Sequence, residues 1–192
     1  MSVGLIIGII VVILVVIAIV LYNNLVKART YTQESWSQIN VQLKRRNDLV
    51  PNLVSTVKGY ASHEQDTFAK VVELRNQLVA RDNPQASQAE RNETMQLSNQ
   101  LSDQLKTVFA LSESYPDLKA NQEFSKLMEE LTNTENKIAY SRQLYNSSVA
   151  SYNIKLQTFP SNLVAGSTGF KPVDYLQVPE EETKAPTVSF DK

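Results

Sequence analysis

Residues 118–158 read LKANQEFSKLMEELTNTENKIAYSRQLYNSSVASYNIKLQT, and apolar side chains recur through them at helical spacing. The stripe is Leu118, Phe124, Leu127, Leu131, Ile138, Tyr145, Val149, Tyr152 and Leu156, closing on Phe159. Steps of three and four residues put these positions on one face, near seven residues per two turns, as in a coiled-coil-like seam. Thr132 to Asn136 and Arg142 sit beside or within the stripe, so the face is not wholly apolar. No other stretch carries so long a single period, and it makes the chain a helical one.

Two more runs repeat the pattern upstream. From Ser35 the apolar set is Trp36, Ile39, Leu43, Val50, Leu53, Val54, Val57 and Tyr60, then Phe68, Val71, Val72, Leu74, Leu78 and Val79. Pro51 interrupts it. Proline has no N–H and clashes with the carbonyl four residues back, which predicts a kink near Asn47–Pro51 or a new helix there, with Asp48 as its cap. Gly59 weakens the helix again, and Asp82-Asn83-Pro84 ends it. The middle run, about 86–113, carries Met95, Leu97, Leu101, Leu105, Val108, Phe109 and Leu111, and breaks at Tyr115-Pro116-Asp117. There Asp117 is expected to cap the run that follows. Three long helices with short loops pack most simply as an antiparallel up-and-down bundle. A split of the first run at Pro51 or Gly59 makes four.

Residues 3–21, VGLIIGIIVVILVVIAIVL, carry no charge. As a helix they span about 29 Å, close to the hydrocarbon thickness of a bilayer. No basic side chain precedes them and no Ala-x-Ala pattern follows, so the run reads as an uncleaved anchor rather than a signal peptide. Tyr22 suits the lipid interface. Lys27, Arg29, Lys44, Arg45 and Arg46 all follow the span, which predicts an outside N-terminus and a cytoplasmic domain. Gly4 and Gly8 form a GxxxG pattern, either a helix-pairing face or chance glycines in a β-branched span. The expected organisation is an anchor at 1–22, a juxtamembrane helix or linker at 23–34, a bundle at 35–159 and an extended, partly disordered tail at 160–192. The tail carries Pro160, Pro172, Pro179 and Pro186, Gly166 and Gly169, and the acidic run Glu180-Glu181-Glu182. Its apolar pieces, Phe170, Tyr175-Leu176 and Val188-Ser189-Phe190, are candidates to dock on the bundle or a neighbour.

Composition narrows the function. The chain has 192 residues, 19 basic and 20 acidic, with no cysteine and one histidine. That balance gives no basic face for nucleic acid. Without cysteine there is no disulfide, thiolate chemistry or cysteine metal site, and multi-histidine sites are excluded. His63-Glu64 lacks the second histidine of the H-E-x-x-H zinc pattern, since Thr67 stands there. No nucleophile elbow, Walker A or GxGxxG motif occurs. No catalytic, metal or cofactor residue is assigned.

Two polar groupings stand out instead. Arg45, Arg46 and Asp48 in the first run are placed to meet Glu135 and Arg142 in the third. A buried arginine must be paired, so this is a register-fixing network or a partner site. Tyr145-Asn146 and Tyr152-Asn153 recur seven apart, reading as core tyrosines with hydroxyls at the bundle edge or as a strip for self-association.

The chain resembles the LemA family of bacterial membrane proteins over nearly its whole length. The resemblance rests on YNNLV (22–26), WSQINVQL (36–43), KRRNDLVPNLV (44–54), VKGY (57–60), His63-Glu64, ESYPDLKA (113–120), LTNTENKI (131–138), Arg142, Tyr145-Asn146, Tyr152-Asn153 and FPS (159–161). Asn47 stands where the family often has histidine and Val50 where it often has isoleucine. The resemblance implies one N-terminal span, an all-helical bundle, an outside N-terminus and a cytoplasmic domain. It implies no reaction, and some LemA-like members are linked to organising membrane compartments. The expected function is a non-enzymatic, membrane-tethered scaffold, homo-oligomeric and acting on an unidentified protein partner at the bilayer. The structural residues it points to are Trp36, Arg46, Asp48, Pro51, Glu135, Arg142, Tyr145 and Tyr152. The alternative is a sensor or accessory subunit that binds a small ligand or an envelope protease.

Overall fold

The computed structural model describes residues 3–61 and 63–177. Glu180–Glu182 and Val188–Phe190 lie outside the described residues. The fold is all-α, with no strand among the described residues. Helix α1 spans Val3–Lys58, α2 Gln65–Val79 and α3 Gln88–Leu111. A 3-10 turn at Ser112–Ser114 and the one-turn α4 at Pro116–Lys119 lead to α5, Gln122–Gln157, and α6, Ser161–Thr168. The described residues divide into two compact units, 41–138 with 176–177 and 3–40 with 139–175.

The first of these is a helical bundle built from 41–58 of α1, α2, α3 and the start of α5. Its core holds Val50, Leu53, Val57, Phe68, Val71, Leu74, Leu101, Val108, Leu118, Phe124 and Leu131. Tyr60 on the α1 side accepts a hydrogen bond from Asn121 at 2.9 Å, while Arg46 meets Glu135 at 2.9 Å, so α1 and α5 run antiparallel here. The loops 59–64 and 80–87 then make α2 and α3 alternate in direction.

Pro51 corrects one expectation. It lies inside α1, and neither a new helix nor an Asp48 cap forms. A proline in mid-helix costs about 3 kcal/mol, but Val50, Leu53, Val54 and Val57 around it are buried. Each such burial is worth about 1.5–3 kcal/mol, so packing wins. The carbonyl that Pro51 leaves without its helical donor belongs to Asn47, and Arg75 of α2 donates to it through Nε at 3.3 Å. The break falls instead after Lys58, at Gly59. It is a turn closed by Val57, whose carbonyl accepts from the N–H groups of Tyr60 and Ala61. The four-helix count is the one realised.

Two other starts differ from the sequence reading. Asp117 caps nothing: α4 begins at Pro116 without a side-chain cap. The long helix begins at Gln122, where Asn121 Oδ1 accepts from the N–H of Phe124 at 2.9 Å. Helix α3 starts on a full capping box, in which Ser87 and Glu90 satisfy each other's backbone N–H. The Ser87 hydroxyl, and after it the Ser87 N–H, holds the Glu90 carboxyl below its ordinary value of 4.5.

The second unit contains 3–40 of α1, 139–157 of α5, α6 and the non-helical 169–175. Leu25, Trp36, Ile39, Tyr145, Val149, Tyr152 and Ala165 are buried in it. Small hydroxyl residues fill the gaps between them. Thr32, Ser35 and Ser148 are buried and each donates back to its own helix, to the carbonyls of Arg29, Tyr31 and Tyr145. The stretch expected as an extended, partly disordered tail from residue 160 begins instead with a helix, α6. Gly169, at φ 75°, closes it, and the N–H of Phe170 bonds to the carbonyl of Ala165. Only glycine adopts this left-handed conformation readily, and the bond from the residue after it is the usual helix stop.

Candidate functional site

The span comes first. From Val3 to Val20 the large apolar side chains are 44% to 73% exposed. Among the described residues one helix is long and apolar enough to cross a membrane, and its apolar window is not buried in the protein. A nineteen-residue apolar helix with no protein around it is what a single-pass protein presents to lipid. Gly4 and Gly8 have no neighbour that a Cβ would meet, so this face of the span is open.

Within the bundle, Arg46 is fully buried. Its guanidinium donates from Nη1 to Glu135 Oε2 at 2.9 Å and to Ser102 Oγ at 2.8 Å, and from Nη2 to Ser98 Oγ at 3.0 Å. Ser102 in turn donates to Glu135 Oε1 at 2.8 Å. Three helices, α1, α3 and α5, are thus tied at one level by one cation, one carboxylate and two hydroxyls. Glu135 is 43% exposed, so its carboxylate is the wet side of the network. The expected pairing of Arg46 with Glu135 is present. Ser98 and Ser102 were not foreseen, although they lie four apart among Met95, Leu101 and Leu105, where small polar residues interrupt an apolar face. Arg45 faces Glu130 at 4.0 Å with both side chains about half exposed, which contributes little. Asp48 is exposed and stands outside the network. Arg142 lies in the other unit, seven residues beyond Glu135 on α5, and is buried.

In that second unit Trp36 packs edge-on against Tyr145, with ring centroids 6.1 Å apart at 70°. Tyr152 donates its hydroxyl to the Lys171 carbonyl at 2.9 Å. Asn153 takes both backbone groups of Val173, donating to its carbonyl at 2.8 Å and accepting from its N–H at 3.0 Å. Tyr145 and Tyr152 are buried, and Tyr152-Asn153 grip the chain's own C-terminal segment rather than forming an open strip. Asn146 is half-buried beside them. Burial raises the Tyr152 hydroxyl above its ordinary value of 10.0, and the charge of Arg29 opposes this. Phe170 reaches Tyr22, centroids 5.7 Å apart at 64°.

The remaining candidates are plain. His63 is exposed. Among the described residues no group of three histidine or acidic side chains is placed to hold a metal ion. A shallow groove beside α2 is lined by Lys58, Asp66, Phe68, Val72, Glu73 and Asn76.

The family model of the LemA family matches residues 35–190. The chain belongs to the LemA family. Magnetosome protein MamQ 2 of Paramagnetospirillum magneticum is 26% identical over 175 residues, covering 81% of this chain and 64% of that protein. Magnetosome protein MamQ of Magnetospirillum gryphiswaldense is 26% identical over 173 residues, covering 80% of this chain and 64% of that protein. Protein LemA of Metamycoplasma hominis is 26% identical over 160 residues, covering 83% of this chain and 70% of that protein. This LemA-family chain thus spans 64% of the length of the magnetosome relatives. The matched region includes the whole Arg46 network and the Trp36–Tyr145 contact.

Proposed function

We propose that this LemA-family chain is a non-enzymatic, membrane-tethered helical scaffold that self-assembles at the bacterial inner membrane and contributes to membrane organisation. The observation that carries the reading is the bare apolar stretch of α1. Its orientation is N-terminus outside and bundle in the cytoplasm, supported by Lys27 and Arg29 just after the span. The similarity to proteins named for the magnetosome favours a role tied to membrane compartments. Tethering supplies the physical basis: a span confines copies to a plane and raises their effective concentration, so weak contacts suffice for assembly. In this reading the Arg46–Glu135 network sets helix register rather than receiving a ligand. Arg142 fits the same role, because it is a buried cation.

The test is the mass of the full chain in nanodiscs and in native membranes after crosslinking. Scaffolding requires a species well above monomer mass. A strictly monomeric mass at membrane-like density refutes it. Protease treatment of intact spheroplasts checks orientation: the bundle stays protected until lysis, and digestion before lysis reverses the assignment.

A further inference from the structure

The second unit places a group of exposed apolar side chains where the span ends. Trp36 pairs with Tyr145, and Arg29 acts on Tyr152. Each pair has the same antiparallel offset between α1 and α5. Continued to the end of α5 at Gln157, that offset brings the helix end level with Asn24, three residues past the apolar run, and Phe159 follows two residues beyond it. Phe159 is 74% exposed and Leu163, on α6, 64% exposed. The other end of the segment is placed by the ring contact of Phe170 with Tyr22. Gly169 makes that contact possible, because its left-handed turn sends the chain back from α6.

The charges at this level are one-sided. Lys27, Arg29, Lys155 and Lys171 are all exposed. Asp174 is the only acidic residue in 139–175, and none precedes Glu34 in the chain. Exposed aromatic and aliphatic groups in the same unit as four exposed cations, next to an apolar helix of bilayer length, match the interfacial layer of a bilayer with anionic lipid. We propose that the Phe159–Phe170 segment is a second membrane contact. Phe159 and Leu163 enter the interfacial layer beside the span, and the four cations pair with the phosphates of anionic lipids. An eight-residue helix alone binds lipid weakly, but the span holds this one against the surface, so no strong intrinsic affinity is required. Each cation near an anionic surface adds about a fivefold gain in partitioning.

This inference rests on the membrane reading of α1, and the experiment separates the two. The chain has no cysteine, so single labelling sites are introduced cleanly. Full-length Leu14→Cys, Leu163→Cys and Tyr140→Cys variants are spin-labelled in nanodiscs of phosphatidylglycerol and phosphatidylcholine. Their collision rates with oxygen, which concentrates in lipid, and with a water-soluble nickel chelate are compared. Leu14 in lipid, Leu163 at interfacial depth and Tyr140 in water support the proposal. Leu14 in water overturns the membrane reading itself. Leu14 in lipid with Leu163 as aqueous as Tyr140 overturns only the second contact. A Leu163 label shielded from both reagents overturns it too, since that marks a second copy or another protein on this face. Lys155→Glu with Lys171→Glu should move the Leu163 label toward water in anionic but not in neutral nanodiscs. Equal depth in both refutes the headgroup pairing.

Discussion

The two ends of the Arg46–Glu135 pair should not be equally costly to remove. Arg46 is fully buried, while Glu135 is 43% exposed. In Arg46→Met the methionine keeps most of the methylene packing. Glu135 turns to water, and Ser102, which already lies 3.1 Å from the carbonyl of Ser98, keeps an acceptor. What is lost is a set of charge-assisted hydrogen bonds whose acceptors find other partners, so the net cost is about 1–2 kcal/mol. Glu135→Ala instead leaves a buried guanidinium with hydroxyl partners and its countercharge gone. Breaking a buried pair in this way costs about 3–5 kcal/mol. The half-exposed carboxylate was already screened, which places this case near about 3 kcal/mol. For a chain of this size 1 kcal/mol moves the midpoint by about 2–4 °C. Thermal unfolding of the full chain in detergent, followed by far-UV circular dichroism, should fall by about 2–8 °C for Arg46→Met and about 6–12 °C for Glu135→Ala. The double variant should be no worse than Arg46→Met alone. An Arg46→Met variant as unstable as Glu135→Ala, or a double variant showing the full sum, refutes the account.

Other expectations follow from single contacts. Arg75→Met strips the donor from the Asn47 carbonyl and should cost about 1–3 kcal/mol; in a Pro51→Ala background, where the helical N–H returns, the loss should shrink to within error in denaturant titrations. Tyr152→Phe removes the hydroxyl that holds Lys171, and limited proteolysis should cut the C-terminal segment faster while the far-UV signal stays near native. The same docking should weaken at alkaline pH. The folded-state pKa of Tyr152 is raised, so its contribution is whole below the ordinary value of 10.0 and is lost as pH rises through the folded value. For Glu90 the sign is opposite: its pKa is lowered, so the capping box contributes above the ordinary 4.5 and is lost as pH falls through the folded value, detectable as earlier amide exchange at the start of α3.

Much of the architecture was legible in the sequence because it rests on long-range periodicity. The stripes of α2, α3 and α5 are each long enough to show their period, and the uncharged run 3–21 is long enough as a helix to match a bilayer. The Arg46–Glu135 pair was legible because a charge on an apolar face demands a partner. What escaped depends on contacts between elements. Pro51 looked like a break until the burial of Val50, Leu53 and Val54 and the reach of Arg75 outweighed it. Asn121, rather than Asp117, caps α5, and both are ordinary capping residues, so local rules alone do not choose. Helix α6 has eight residues, too few for a period, and its sign was the glycine at 169 that terminates it. The hydroxyls of Ser98 and Ser102 were missed because serine inside a helix more often bonds back to its own turn.

The two bonds from Asn153 go to the N–H and carbonyl of Val173, not to its side chain. A clamp of that kind reads backbone only. It is blind to the identity of the docked residue, so Val173 can be exchanged for many others while the strap stays in place. One residue is barred: proline at 173 has no N–H to offer, though proline already precedes it at 172. Substitution patterns at this short segment should therefore be permissive in side chain and strict in main chain, with the asparagine on α5 as the invariant half of the fastening.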